Sequence, residues 1–350
     1  MSNLTPMGVL PAEWALQSAI LLVWPHAQGD WAVELDAIES VYDHLAAAIS
    51  RRQIVLITCF DSLHQNRIAD RLHRHGECHL QRVRFFVAPT NDTWVRDTGP
   101  LTIVDPTGRN LALNFRFNGW GGKYPAEQDD ALTAALAAQG AFQCEVSEID
   151  LVLEGGSIDV NGDGCALTTT ACLLAWTRNP SLSRAQIEER LRLYLGISKC
   201  LWLEHGFLAG DDTDSHIDML ARFCDARTIC YTACSDPDDP HYGELVAMAA
   251  QLQTMRNTDG SPFRLIPLPW PQPKWTAEGE RLPASYANFL IINGAVLVPT
   301  YDDPADATAL QTFRDIFPDR EIIPIPSLAL IHQRGSVHCA TMQLPAGVVG

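Results

Sequence analysis

The chain has 350 residues, 47% of them hydrophobic and 19% charged, which supplies a large apolar core and argues against a disordered or fibrous protein. A formal net charge of −17 disfavours nucleic acid and anionic lipid as partners and favours small cations. The ten cysteines contain no C-x-x-C pair, which argues against a zinc finger or ribbon. Most of them sit in apolar runs, as buried free thiols of a reducing compartment do.

The opening stretch MSNLTPMGVLPAEWALQSAILLVWPH has no basic leader, and Glu13 precedes the short apolar run Ala19–Trp24. This reads as a strand rather than a signal peptide or membrane span, so a cytoplasmic protein is expected. Further short buried strands are expected at Ile54–Thr58, Arg84–Val87, Leu111–Phe115, Leu201–Leu203, Thr228–Tyr231, Phe289–Ile292 and Ala295–Pro299, with Ala19–Val23 as the first. Helical periodicity marks Val33–Ile49, Leu63–Arg74, Ala126–Ala138, Arg184–Leu195, Gly243–Met255 and Ala305–Phe317. Ser183 can cap the fourth of these, with Gln186 completing a capping box. From the second helix onward the centres recur every 55–65 residues or so, as in a repeated α/β unit closed into a ring, although doubly wound sheets also alternate. The Pro-rich segment Ile266–Pro273 and its neighbour Trp275 read as an ordered loop, so one domain spanning 1–350 is expected. No G-x-G-x-x-G opens a helix, which leaves a dinucleotide site unsupported.

Four constellations carry chemistry. Asn91–Pro100 (NDTWVRDTGP) offers Trp94 as a face for a cation and Asp97 as an acceptor, against the plainer reading of an Arg96–Asp97 turn. In Leu153–Asp159 (LEGGSID) two glycines follow Glu154 and would let backbone approach something closely. Gly210–Asp218 (GDDTDSHID) packs four aspartates and His216 ahead of an apolar run. If extended, it turns His216 and Asp218 to one face. In Gly335–Gln343 (GSVHCATMQ), Cys339 follows small and polar residues. On an extended chain its neighbour His338 points away, which makes it a poor base for that thiol. Together these make an anionic, aromatic-walled pocket, whose natural guest is a planar cation such as guanidinium, open to attack by the thiol.

TWVRDTGP, LEGGSIDVNG, GDDTDSHIDMLARF, SYANFLIING and GSVHCATMQ, with the opening LPAEWALQSAILLVWPH and WAVELDAIESV, resemble the signature segments of the agmatine deiminases. These belong to the bacterial-type peptidylarginine deiminase family of the guanidine-modifying (pentein) superfamily. The match runs in order from about Pro11 to Pro345. It implies a five-bladed α/β propeller of pseudo-fivefold ββαβ units around a central site. It also implies hydrolysis of agmatine to N-carbamoylputrescine and ammonia, with no metal or organic cofactor. On the matching positions, Cys339 is the nucleophile, His216 the general acid/base and Glu154 its carboxylate partner. Asp97 and Asp218 grip the guanidinium, Trp94 lines the pocket, and Asp212 lies in the substrate-binding acidic loop with Asp214. Departures from the usual pattern are Asp159-Val160-Asn161, Cys165, and Ser215 where a glycine is expected.

Three rivals remain open. Another guanidine (free, peptidyl or methylated arginine) would need a cation for a carboxylate, and Arg116 or Arg178 could supply it. A metal-dependent hydrolase could be built on Asp211, Asp212, Asp214, His216 and Asp218. A polyamine-binding protein could keep the pocket without turnover. A homo-oligomer is compatible with all of these.

Overall fold

The apolar runs read as strands mostly pair on both edges, and five sheets share one pairing scheme. In each, a central strand has an antiparallel neighbour on one side and a parallel neighbour on the other. In the first sheet Gln17–Val23 lies between Met342–Pro345 and Ile54–Cys59, with Val83–Val87 added parallel beyond. The second centres Asn110–Arg116 between Leu101–Val104 and Glu145–Val152. The third centres Cys165–Thr169 between Ile158–Val160 and Lys199–Leu203. The fourth centres Thr228–Thr232 between Ala221–Asp225 and Arg264–Leu268, and the fifth Ala295–Thr300 between Leu290–Ile292 and Glu321–Pro326. Residues 5–350 are described here by a computed structural model; Met1–Leu4, inside the expected 1–350 domain, lie outside the described residues.

A parallel pair needs a crossover of a dozen residues or more, and here each crossover carries a helix. Leu35–Ser50, Leu132–Ala138, Arg184–Leu195, Tyr242–Thr254 and Asp306–Ile316 play that part, and Ser62–His75 leads into the extra strand of the first sheet. Most central strands are buried on both faces, so they read as apolar runs. Outer strands such as Glu145–Val152 and Glu321–Pro326 are half exposed and carry Glu or Pro, which hid them from periodicity. The first strands are only three to five residues long and were seen only at Leu290–Ile292.

Helix Arg184–Leu195 has the expected limits, with Gln186 accepting from the Ser183 backbone N–H at 2.9 Å and Gly196 closing it at φ +71°. The expected helix Ala126–Ala138 is instead broken into Glu127–Asp130 and Leu132–Ala138. Two of its carboxylates are taken up by neighbouring segments: Asp129, buried, accepts from the backbone of Asn91 and Asp92, and Asp130 from Phe117. The core fills the space between sheets and helices. In the first unit Ile20, Leu22 and Trp24 pack against Ile38, Tyr42, Leu45 and Ile49. Among the described residues no helix is long and apolar enough to cross a membrane.

Each first strand is preceded by a short turn: Val95–Thr98 before Leu101, Gly155–Ser157 before Ile158, and Ile217–Met219 before Ala221. The corresponding turns in the last two cases are 286–287 before Leu290 and 337–340 before Met342.

Candidate active site

Those five turns deliver the chemistry. Asp97 lies in the first, Glu154 immediately ahead of the second, His216 and Asp218 at the third, Asn288 just past the fourth and Cys339 in the fifth. Trp94, Asp97, Asp212, His216, Asp218 and Cys339 all line one cleft of about 510 Å³. Six aspartates line it (Asp30, Asp92, Asp97, Asp211, Asp212 and Asp218) against a single arginine, Arg334. Burial lifts the Asp92 carboxyl to about 6.

Cys339 is 8% exposed. Its Sγ receives a hydrogen bond from Asn288 Nδ2 at 3.1 Å and reaches Asp218 Oδ2 at 3.6 Å. Burial, then the charges of Asp218 and Asp97, push its thiol well above the ordinary range. The thiol segment is a turn and not the extended chain assumed from sequence, so the alternation argument for His338 does not apply. His338 in fact lies behind Asp218, bonded to Oδ2 at 2.8 Å. Likewise Ile217–Met219 is a 3₁₀ turn, and it is this turn that sets His216 and Asp218 in one cleft.

Asp97 is held at both oxygens: Trp120 Nε1 donates to Oδ2 at 2.9 Å and the Gly156 N–H to Oδ1 at 2.9 Å. Burial raises its carboxyl despite the nearby His216. Asp218 differs. Burial works to raise it, but the His338 bond and charge outweigh this and hold it below the usual carboxylate value. Its Oδ1 is buried with no partner among the described residues.

His216 Nδ1 stands 3.7 Å from Asp97 Oδ1, and Nε2 has no partner among the described residues. Burial disfavours the imidazolium, but Asp97, Cys172 and Glu154 raise it well above the ordinary histidine value. Glu154 lies within 4.8 Å of His216 through their donor atoms, while its carboxylate accepts from Arg178 Nε at 3.0 Å and from Cys172 Sγ at 4.0 Å. The two glycines after Glu154 act through space and not through positive φ. A Cβ on Gly155 would meet the Arg96 carbonyl at 2.2 Å, and one on Gly156 would meet His216 Nδ1 at 2.7 Å.

The acidic loop does not converge on one point. Asp211 accepts from Thr213 and from the Ser215 backbone, and Asp214 pairs with Lys123 and Arg178. Asp212 accepts from Tyr124 Oη at 2.5 Å. Among the described residues the one group spaced as metal donors is Glu154, Cys172 and His216, which is not the set expected for a metal-dependent hydrolase. Asp214 and Ser215 are left-handed, at φ +66° and +65°, which makes Ser215 the strained substitute for the expected glycine.

Neither arginine weighed from sequence faces the cleft. Arg116 is exposed and pairs with Asp130, and Arg178 is buried against Glu154 and Asp214. Sequence reasoning missed Asn288, Cys172, Trp120 and Arg334. Asn288 lay inside a quoted segment, SYANFLIING, but a neutral amide between apolar residues gave no chemical signal.

The family described as Porphyromonas-type peptidyl-arginine deiminase matches residues 9–345. An agmatine deiminase of Pseudomonas putida is 34% identical over 361 residues, covering 97% of this chain and 96% of its own. The structure of a C. jejuni agmatine deiminase with substrate bound superposes with a TM-score of 0.89 at 37% identity, covering 97% of each chain. A Porphyromonas gingivalis structure named for arginine deiminase activity gives 0.90 at 45% identity, covering 98% of this chain and 99% of that one.

Proposed function

The chain belongs to the Porphyromonas-type peptidyl-arginine deiminase family, and on that premise we propose that it hydrolyses agmatine to N-carbamoylputrescine and ammonia. The observation that carries this reading is the meeting of a thiol, an imidazole and two carboxylates in a cleft with six aspartates. Such a cleft binds a cation at both ends, as agmatine's guanidinium and distal ammonium require.

In the mechanism this supports, Asp97 and Asp218 hold the guanidinium, and the Cys339 thiolate attacks its carbon to give a tetrahedral adduct. His216, protonated beside Asp97 and Glu154, gives its proton to the departing nitrogen, and ammonia leaves. The resulting S-alkylthiouronium takes a water deprotonated by His216. Collapse of the second adduct expels the thiolate, gives up the hydroxyl proton to solvent and leaves the ureido product. Trp94 offers its face to the cation, and Asp212 stands in the loop at the cleft wall. The reaction consumes one water and calls on no cofactor.

The rival substrate is arginine, free or in a peptide, and one observation favours it: Arg334 lines the cleft. Its guanidinium is already engaged, however, by the Gly210 carbonyl at 2.9 Å, Glu280 at 3.2 Å and Asp212 at 3.6 Å. A panel of agmatine, arginine and a peptidyl-arginine, scored by ureido product, tests the choice. Faster turnover of either arginine substrate than of agmatine overturns it. Mass spectrometry of enzyme quenched during turnover tests the nucleophile, with an adduct expected on Cys339 and none on Cys172.

We further infer that the five sheets are blades of one closed propeller and that the chain is a single catalytic domain. The first sheet supports this, since it joins Met342–Pro345 to Gln17–Val23. Ten unpaired cysteines support a reducing, cytoplasmic setting.

A further inference from the structure

Behind Asp218 lies a buried chain of alternating charges that the mechanism above does not use. His338 Nδ1 stands 2.8 Å from Asp218 Oδ2, and its Nε2 stands 2.8 Å from Glu13 Oε2. Glu13 in turn accepts from Arg222 Nη2 at 2.8 Å, and Arg222 Nε donates to Asp159 Oδ1 at 2.9 Å. Arg96 flanks the chain, 3.8 Å from Glu13 and donating through Nε to the His338 carbonyl at 3.3 Å. All of these side chains are at most 8% exposed.

We propose that His338 is a doubly protonated positioning residue that keeps Asp218 anionic and turns its free oxygen to the substrate guanidinium. This rests on the deiminase reading of the cleft. A neutral imidazole donates from one nitrogen and carries a lone pair on the other. Set between two carboxylate oxygens at 2.8 Å, it would press that lone pair against an anion. Two N–H groups satisfy both contacts. Glu13 is a poor alternative holder of the proton, because its Oε1 already accepts from the Ile291 N–H at 2.6 Å and its Oε2 from Arg222. Burial works to raise Glu13, yet Arg222 and His338 hold it well below the ordinary range.

The residue is also fixed at its backbone. The His338 backbone N–H donates to Asn288 Oδ1 at 2.9 Å, while its carbonyl accepts from Arg96. With Oδ2 of Asp218 engaged by His338, Oδ1 is the oxygen left open in a residue that lines the cleft. The charges then alternate from Asp159 through Arg222, Glu13 and His338 to Asp218, and the substrate cation continues the series. On the cleft side Asp218 faces His216, Asp97 and the Cys339 thiol. Arg222, Arg96 and His216 also lie near Asp218, but only His338 bonds its carboxylate directly, so without that ring Glu13, Asp97 and a nascent thiolate would weigh more and the Asp218 carboxyl would rise.

Two measurements test this. In the wild-type enzyme labelled with ¹⁵N-histidine, both ring nitrogens of His338 should carry protons. The resonance is identified by its loss in a His338→Asn or His338→Gln variant. A neutral tautomer overturns the proposal, and this reading needs no turnover, so it stands apart from the deiminase assignment, which ammonia release from agmatine tests separately. His338→Asn keeps a donor near the Nδ1 position but removes the charge. It should raise KM for agmatine roughly ten- to a hundredfold and change kcat less. A folded variant with wild-type KM, or one that loses kcat with KM unchanged as a packing role alone would do, also overturns the proposal.

Discussion

Asn288 holds Cys339 at both ends of one amide. Its Nδ2 donates to Sγ at 3.1 Å, and its Oδ1 accepts from the backbone N–H groups of His338 and Cys339 at 2.9 and 3.3 Å. The same side chain thus shapes the turn and opposes the burial and negative charges that keep the thiol protonated. Asn288→Ala should lower kcat/KM for agmatine roughly ten- to a hundredfold and slow alkylation of Cys339 by iodoacetamide. Asn288→Asp, which places another anion beside the sulfur, should be worse. Wild-type alkylation rates in Asn288→Ala would remove the amide from the account of thiol activation.

The pH profile carries a sign. In the empty cleft burial, Asp218 and Asp97 raise the Cys339 thiol, so the free enzyme gains its thiolate only as pH climbs well into the alkaline range. A bound guanidinium offsets both carboxylates and lowers that requirement. Since kcat/KM reports the free enzyme and kcat the complex, the rising limb of kcat/KM should lie at higher pH than that of kcat. Coincident limbs in a steady-state series with agmatine would count against coupling of thiolate formation to substrate binding.

Gly156 is fixed by proximity. A Cβ there would meet His216 Nδ1 at 2.7 Å and Asp97 Oδ1 at 2.8 Å. Gly156→Ala should therefore displace His216 and Asp97, the proposed general acid and guanidinium-binding carboxylate, together. Activity should fall at least a hundredfold or so, with a loss of stability of about 1–3 kcal/mol. Paired kinetics and thermal melts decide this, and retained activity would mean that the cleft tolerates a shift the geometry disallows.

Ser215 lies at φ +65° with its backbone N–H bonded to Asp211 Oδ2 at 2.8 Å. The left-handed conformation costs a non-glycine residue about 1–2 kcal/mol, partly offset by the greater unfolded-state freedom of glycine. Ser215→Gly should raise stability by about 0.5 kcal/mol and leave agmatine turnover within about twofold. A lower melting temperature would show that the loop holds Ser215 without strain.

Arg334 is the cleft cation that could read a carboxylate. With Glu280 and Asp212 around it, Arg334→Gln should leave agmatine turnover largely intact and should not create arginine specificity. If wild type turns over arginine and Arg334→Gln abolishes that while sparing agmatine, Arg334 reads the carboxylate despite its present partners.

Residue chemistry pointed to Trp94, Asp97, His216, Asp218 and Cys339, while Glu154 and Asp212 were singled out by the family resemblance; all but Glu154 line one cleft, and Glu154 lies within 4.8 Å of His216. They were legible because titratable or aromatic groups interrupt the chain just after or just before an apolar run, beside glycine or other small residues. The central strands were legible for a related reason: burial on both faces demands unbroken Val, Ile and Leu. What sequence left open depends on pairs far apart in the chain. Glu13 and His338 meet across 325 positions, and Asn288 meets Cys339 across 51. The roles of Arg222 within an apolar strand, of Cys172 beside His216 and of Arg334 on the cleft wall likewise come from neighbours that no local pattern names. Local chemistry is set by residue type and spacing, so the sequence determined which groups could react. Their distances, the shifted thiol and imidazole, and the choice of His338 as the support of Asp218 were decided only when five turns from five sheets were brought to one point.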